Sequence, residues 1–204
     1  STEAVRTKER ELILGDSLSK FMGELGLIPT GGRWGSITRL KDQTRRLFSS
    51  SITAVYEKGA GFAVINQAVA DRATLWWDAK APEQVGLWRS TVTLSEQFFN
   101  EVIDRPVPID MRAVKALKKS PMALDIYTWL TYRASYLKRP TVIPWSSLAL
   151  QFGSNYAEVR DFKKAFLNEL RKVLLVYGQV QVEATEQGLM VKPSLTHISK
   201  KGGL

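Results

Sequence analysis

Cysteine is absent from this chain, and histidine occurs once, as His197 near the C-terminus. The first absence excludes disulfides, thiolate zinc sites and cysteine nucleophiles, and it fits a reducing cytoplasm. The second closes the route to metal centres held by paired histidines, and with them the nickase chemistry that needs such a pair on a strand. No run of about 18 apolar residues and no cleavable leader pattern occurs, so a soluble cytoplasmic protein is expected.

Chemistry-bearing motifs are equally scarce. Gly26 to Arg33 superficially resembles a phosphate loop, but the Gly-Lys-Ser/Thr ending that supplies the phosphate lysine and the magnesium ligand is missing. Ser17-Leu18-Ser19-Lys20 matches the Ser-x-x-Lys pattern of acyl-transfer enzymes without its companion motifs. Asp71, Asp78 and Glu83 fall at no spacing that singles out a metal cluster. The expectation is a protein without cofactor or catalytic residues, with a carboxylate-dependent nuclease as the enzyme alternative.

Acid is the scarcer charge. Twenty Asp plus Glu face 29 Lys plus Arg, leaving +9 in 204 residues. Divided at Leu94, the halves carry 13 basic against 10 acidic and 16 against 10, or +3 and +6. Such an excess favours a polyanionic partner. With 44% apolar residues the chain can still bury a core without staples.

The cation excess gains a shape in residues 140–195. A Val/Ile strand at 141–143 leads into a short helix at 145–152 and a Gly-Ser-Asn turn. A basic amphipathic helix is expected over 157–176, and then a ribbon, 179–184 against 189–192. On that helix Val159, Phe162, Phe166, Leu170, Val173 and Leu174 share one side, while Arg160, Lys164, Asn168 and Arg171 gather on another. Lys163 projects nearer the apolar arc and must overhang the core or snorkel. Helix, turn, helix and ribbon in this order is the layout of a winged helix-turn-helix, whose second helix enters the DNA major groove. Lys192 on the ribbon is a candidate backbone contact.

The first half reads as a long amphipathic helix at 2–27, a break at Pro29-Thr30-Gly31-Gly32, and a second helix from an N-capping Ser36 to Phe48. Ile37, Leu40, Thr44, Leu47 and Phe48 form its apolar face. Arg39, Arg45 and Arg46, with Thr38 and Asp42 among them, make the other face a second candidate for contacting DNA, with Arg33 just before it. Alternating residues then predict a hairpin through Lys58-Gly59-Ala60-Gly61 and further strands at 74–77 and 85–94. The last of these is a candidate edge for pairing two chains. Trp76, Trp77 and Trp88 are either core or base-stacking residues, and Trp34 is either core or interface.

Ser95 caps a short helix to Ile103, and Arg105-Pro106-Val107-Pro108 marks a module boundary. Helices follow at 110–118 and, after Ser120-Pro121, at 122–137, the latter apolar nearly all round. Asp125 and Arg133 on it read as structural or rim residues. The expected class is therefore α+β and predominantly helical, with tandem winged helix-turn-helix modules, the first carrying an enlarged β-meander. The modules are 1–104 and 105–195, with a flexible tail at 196–204.

Several of these runs resemble the RepA type of plasmid replication initiator. They are Gly31-Gly32-Arg33-Trp34-Gly35-Ser36-Ile37-Thr38-Arg39-Leu40-Lys41, Leu75-Trp76-Trp77-Asp78, Arg105-Pro106-Val107-Pro108-Ile109-Asp110-Met111-Arg112-Ala113, Ala123-Leu124-Asp125-Ile126-Tyr127, Trp129-Leu130-Thr131-Tyr132-Arg133 and Arg160-Asp161-Phe162-Lys163. In this order they span about 28–193, while residues 1–25 and the tail after Pro193 add nothing to the likeness. The resemblance implies a nucleoid- or plasmid-associated bacterial protein that binds repeated double-stranded sequences at an origin, opens the adjacent duplex and recruits host initiation proteins. Some such initiators also repress their own genes as homodimers. A transcriptional repressor with no replication role is the alternative within the same binding class.

Overall fold

The computed structural model describes residues 2–15, 17–58, 61–75, 90–104, 106–152 and 156–198, with only the backbone described at 2, 54–58 and 61–63. Expectations for Trp76, Trp77, Asp78, Glu83, Trp88, Arg105 and the turn at 153–155 lie outside these residues. The described residues form an α+β structure of eight helices and eight strands. The chain divides into two compact units, Ser1–Pro106 and Val107–Leu204.

Unit one opens with α1 (Thr2–Thr7), β1 (Glu11–Ile13) and α2 (Leu18–Glu24). The single helix expected over 2–27 is therefore broken twice. Lys8 adopts φ +61° and Gly15 φ +100°, left-handed conformations that no helix tolerates in its interior. Between them, Glu11, Leu12 and Ile13 pair with Thr93, Val92 and Thr91, and only Leu12 of the three is buried. Ser17 caps α2, its hydroxyl accepting from Lys20 N at 3.3 Å. The Ser-x-x-Lys pattern is thus a helix start.

Helix α3 (Ser36–Phe48) buries Ile37 and Thr44, while Leu47 of its expected apolar face is exposed. Its N-cap is Gly35 and not Ser36. The Ser36 hydroxyl is instead drawn back into the preceding loop, donating to Ile28 O at 2.6 Å and accepting from Thr30 N at 2.9 Å.

Strands β2 (Ser51–Lys58) and β3 (Gly61–Ala68) form the expected hairpin, in register from Ser51↔Ala68 to Lys58↔Gly61. It does not continue as a meander. At Val69, which is buried, the chain passes into a separate sheet of β1, β5 (Thr91–Leu94) and β4 (Ala70–Thr74), in the order β1-β5-β4. The described part of the 85–94 strand is thus the middle of its sheet, paired on both sides. It is no edge for a second chain. Ser95 caps α4 (Glu96–Asp104), accepting from Phe98 N at 3.2 Å while donating to Ala68 O at 2.6 Å. Ala4, Leu12, Val92, Leu94 and Phe99 make one core cluster, and Leu18, Met22 and Ile37 another.

Unit two begins with α5 (Met111–Leu117), capped by Asp110, and α6 (Pro121–Ala134), capped by Ser120 with Pro121 in its first turn. Ile126, Tyr127, Trp129 and Leu130 of α6 are buried, as expected for its central place. Strand β6 (Thr141–Pro144), α7 (Trp145–Gln151), α8 (Val159–Val176), β7 (Val182–Ala184) and β8 (Gly188–Val191) complete the unit. The three strands form a sheet in the order β6-β8-β7. Gly188 is required at its crossing with β6, since a Cβ there would lie 2.0 Å from Ile143 O.

The two units share an element order that their sequences do not advertise. Among the described residues, and setting aside β2 and β3, each has a helix, a strand, two helices and two strands in that order, and the last of these strands lies between the other two: β1-β5-β4 in one, β6-β8-β7 in the other. The β2–β3 ribbon is an addition between α3 and β4. His197, expected in the tail, instead packs in unit two. Its ring stacks on Tyr177 at 4.9 Å, and its Nδ1 lies 2.9 Å from the Tyr127 hydroxyl. Tyr177 donates to Leu195 O at 2.6 Å, and burial pushes its phenol up to about 12.

Candidate nucleic-acid interface

Helix α8 has the two faces its sequence implies. Phe162, Phe166, Leu170 and Val173 are buried, and Phe166 meets Trp145 and Phe152 edge-on with centroids 6.0 and 5.2 Å apart. Roughly opposite, at about 100° per residue, stand Arg160, Lys164, Asn168 and Arg171, all exposed. Val159, expected in the core, is 43% exposed because it starts the helix beyond the last buried turn. Leu175 lies among the cationic residues by the same wheel and is 87% exposed.

The four expected contacts are not equally available. Among the described residues Arg160 pairs only with its neighbour Asp161, at 3.4 Å with both side chains open to water, an arrangement worth little. Among the described residues Lys164 has no side-chain partner. Arg171 Nη1 donates to Asn168 Oδ1 at 2.7 Å, which orders the pair into one unit of donors. Lys172 on the next flank is held at 2.6 Å by Glu169, whose carboxyl is kept below its ordinary range by Lys172 and the Ser120 hydroxyl.

Lys163 is placed differently. Its Nζ lies 4.8 Å over the Trp145 ring and 3.4 Å from Thr185 O, and the side chain is half-buried. Thr185 O also accepts the Trp145 indole N–H at 3.0 Å. Trp145, absent from the expected site, thus joins α7, α8 and the β7–β8 turn. The sequence feature that bears on it is the angular position of Lys163 beside the apolar arc, which calls for a neighbour under that side chain without naming it. Lys192 on the ribbon is partly taken up by Glu183, 3.0 Å away.

In unit one Arg39 is exposed and has no side-chain partner among the described residues. Arg45 and Arg46 both reach Asp42, at 3.0 and 3.1 Å, and remain largely open to water. The Thr38 hydroxyl is spent on the loop before the helix, donating to Gly32 O at 2.9 Å. Arg33 lies over the Trp34 ring at 5.2 Å, and Trp34 is 79% exposed, so of its two expected roles core is excluded.

The class this defines is a basic α+β protein of two similarly ordered units, each presenting cations on the second of two consecutive helices. No helix among the described residues is long and apolar enough to cross a membrane, and no cluster of three or more metal-ligating side chains occurs among them.

The chain belongs to the family described as plasmid encoded RepA protein, whose model matches residues 2–146. This is a family of plasmid replication initiators. The match starts ahead of the likeness read from residue 28 and takes in α1, β1 and α2; it ends in the first turn of α7, so α8 and the ribbon lie beyond it. No curated protein sequence matches. Among solved structures the chain is similar to domains 2–3 of RctB, with a TM-score of 0.55 at 15% identity, covering 94% of this chain and 78% of that one. At that identity the likeness speaks for the fold.

Proposed function

We propose that this protein binds repeated double-stranded sequences at a plasmid origin through two winged helix-turn-helix units and promotes opening of the adjacent duplex without hydrolysing nucleotide. The observation that carries the proposal is the element order common to the two units. Strand, two helices and a two-stranded ribbon, with the last strand central, is the arrangement that offers the second helix to a major groove. Helix α8 reads through Arg160, Lys164, Asn168 and Arg171, and α3 through Arg39, Arg45 and Arg46. Arg33 and Lys192 supply backbone contacts at the margins. Host replication proteins and a second copy of the chain are the further partners.

Opening needs no ATP on this reading. Binding at adjacent repeats bends or unwinds the duplex, and contact energy offsets a deformation cost of a few kcal/mol. Footprinting on DNA selected from random sequence tests the proposal. Two reading units protect about two helical turns, roughly 20 base pairs, whereas one protects about half of that. A plasmid carrying the selected repeats in its origin should be maintained only when the protein is supplied in trans. Binding without maintenance would make the protein a repressor, and absence of any salt-sensitive duplex binding would overturn both readings.

A further inference from the structure

Between α2 and α3 a loop holds a large apolar ring out in solvent and fixes it there. Thr30 and Ser36 bind each other twice through backbone N–H groups and once more through their hydroxyls, with distances of 2.8 to 3.0 Å. Gly35 N donates to Gly32 O at 3.1 Å, and Gly32 takes φ +84°. A Cβ at Gly35 would sit 2.2 Å from Thr30 O, so the loop closes only around a glycine. At its tip Trp34 is 79% exposed under the Arg33 guanidinium. A ring so exposed buries little apolar surface and adds little to stability by that route.

The surroundings select the occupant. From Gly26 to Lys41 the chain carries Arg33, Arg39 and Lys41 and no acidic residue. A flat, apolar, π-rich surface inside a purely cationic stretch complements a nucleobase on its phosphate backbone better than it complements a protein surface. In a closed duplex both faces of a base are already covered by neighbouring bases. The indole therefore has a π-face to meet only where a base has left the stack.

We propose that Trp34, with Arg33 over its ring, is a stacking site for an unpaired nucleobase, used when the duplex beside the bound repeats opens. This rests on the origin-binding reading, which it deepens by assigning a single-strand contact separate from the groove-reading helices. Base stacking on an aromatic side chain corresponds to about 5- to 150-fold in affinity.

The test uses the full chain and two probes, a mixed-sequence single strand and a duplex of selected repeats, titrated by fluorescence anisotropy at several salt concentrations. Trp34→Ala should weaken single-strand binding by that factor with the salt dependence unchanged, and Trp34→Phe should recover most of it. Duplex affinity should stay as in the wild type, and both variants should melt like the parent because the ring is exposed. Equal losses on both probes would make Trp34 part of the duplex interface, and no loss on either would exclude nucleic acid as its partner; each result overturns the inference. If the wild-type chain binds no duplex, it is the underlying origin-binding reading that fails.

Discussion

Lys163 and Trp145 are joined through one acceptor: the ammonium lies 4.8 Å over the indole ring, and both groups point their N–H at Thr185 O, at 3.4 and 3.0 Å. The carbonyl belongs to the turn between β7 and β8, which is itself closed by the Thr185 hydroxyl donating to Gly188 O at 2.8 Å. The start of α8 and the ribbon turn are thus held at a set distance from each other. On the proposed DNA-binding reading, Lys163 contributes by positioning the ribbon through these contacts.

Lys163→Met should accordingly lower affinity for selected duplex while leaving the salt dependence of binding unchanged, because no phosphate contact is lost. Lys163→Arg, which keeps a cation over Trp145, should restore affinity. A salt slope flatter by about one unit in Lys163→Met would return the residue to the phosphate contacts.

Arg160→Ala and Lys164→Ala test the open end of the same helix. Each should weaken binding to all sequences alike and flatten the salt dependence by about one unit. Arg171, ordered by Asn168, is the residue suited to read a base edge. Arg171→Ala should cost about 1–3 kcal/mol on the selected site and relax the preference at one base pair, as measured by competition with single-position variants of the site.

Asp110 gives unit two an acid-side dependence. The Arg112 side chain and backbone N–H, both donating to its carboxylate, hold the group down to about 2 from an ordinary 3.8. A carboxylate with a folded value below its unfolded one stabilises above the unfolded value, and that contribution is lost as pH falls through the folded one. The stability difference between the wild type and Asp110→Asn should therefore be constant above about pH 5 and vanish towards pH 2. Urea unfolding across that range measures it, and a constant difference down to pH 2 would contradict the assignment.

Gly188→Ala should press a methyl group into the Ile143 carbonyl, 2.0 Å away, where only backbone can yield. The expected loss is about 1–3 kcal/mol. For a unit of this size each kcal/mol lowers the melting temperature by roughly 4–8 °C. An unchanged melting curve would mean that β6 and β8 pair less tightly than described.

What the amino-acid pattern disclosed, and what it hid, follows the range of the forces involved. Helices α6 and α8 repeat their apolar residues over several turns, and Ser120-Pro121 announces the start of one of them, so local sequence was enough. Strand β1 has three residues and owes its state to Val92 and its neighbours, far along the chain; no local pattern carries that pairing. The start of α3 is hidden for a related reason: Ser36 has the side chain of a good cap, but its hydroxyl is claimed by Ile28 O and Thr30 N, and Gly35 takes the cap position. On α8 the cationic strip was readable from the wheel, but whether Lys163 faces water or a tryptophan depends on where α7 and the ribbon come to rest. Trp34 was undecidable from composition, because an indole next to glycines fits an interior or a surface equally well.

Ser95 occupies a small joint with a large reach. Its hydroxyl grips Ala68 O at the root of the ribbon, and its backbone N–H holds Val69 O, while the same hydroxyl starts α4. The foot of the β2–β3 hairpin and the first turn of α4 are therefore pinned to each other by one residue, so that replacing Ser95 would loosen both at once.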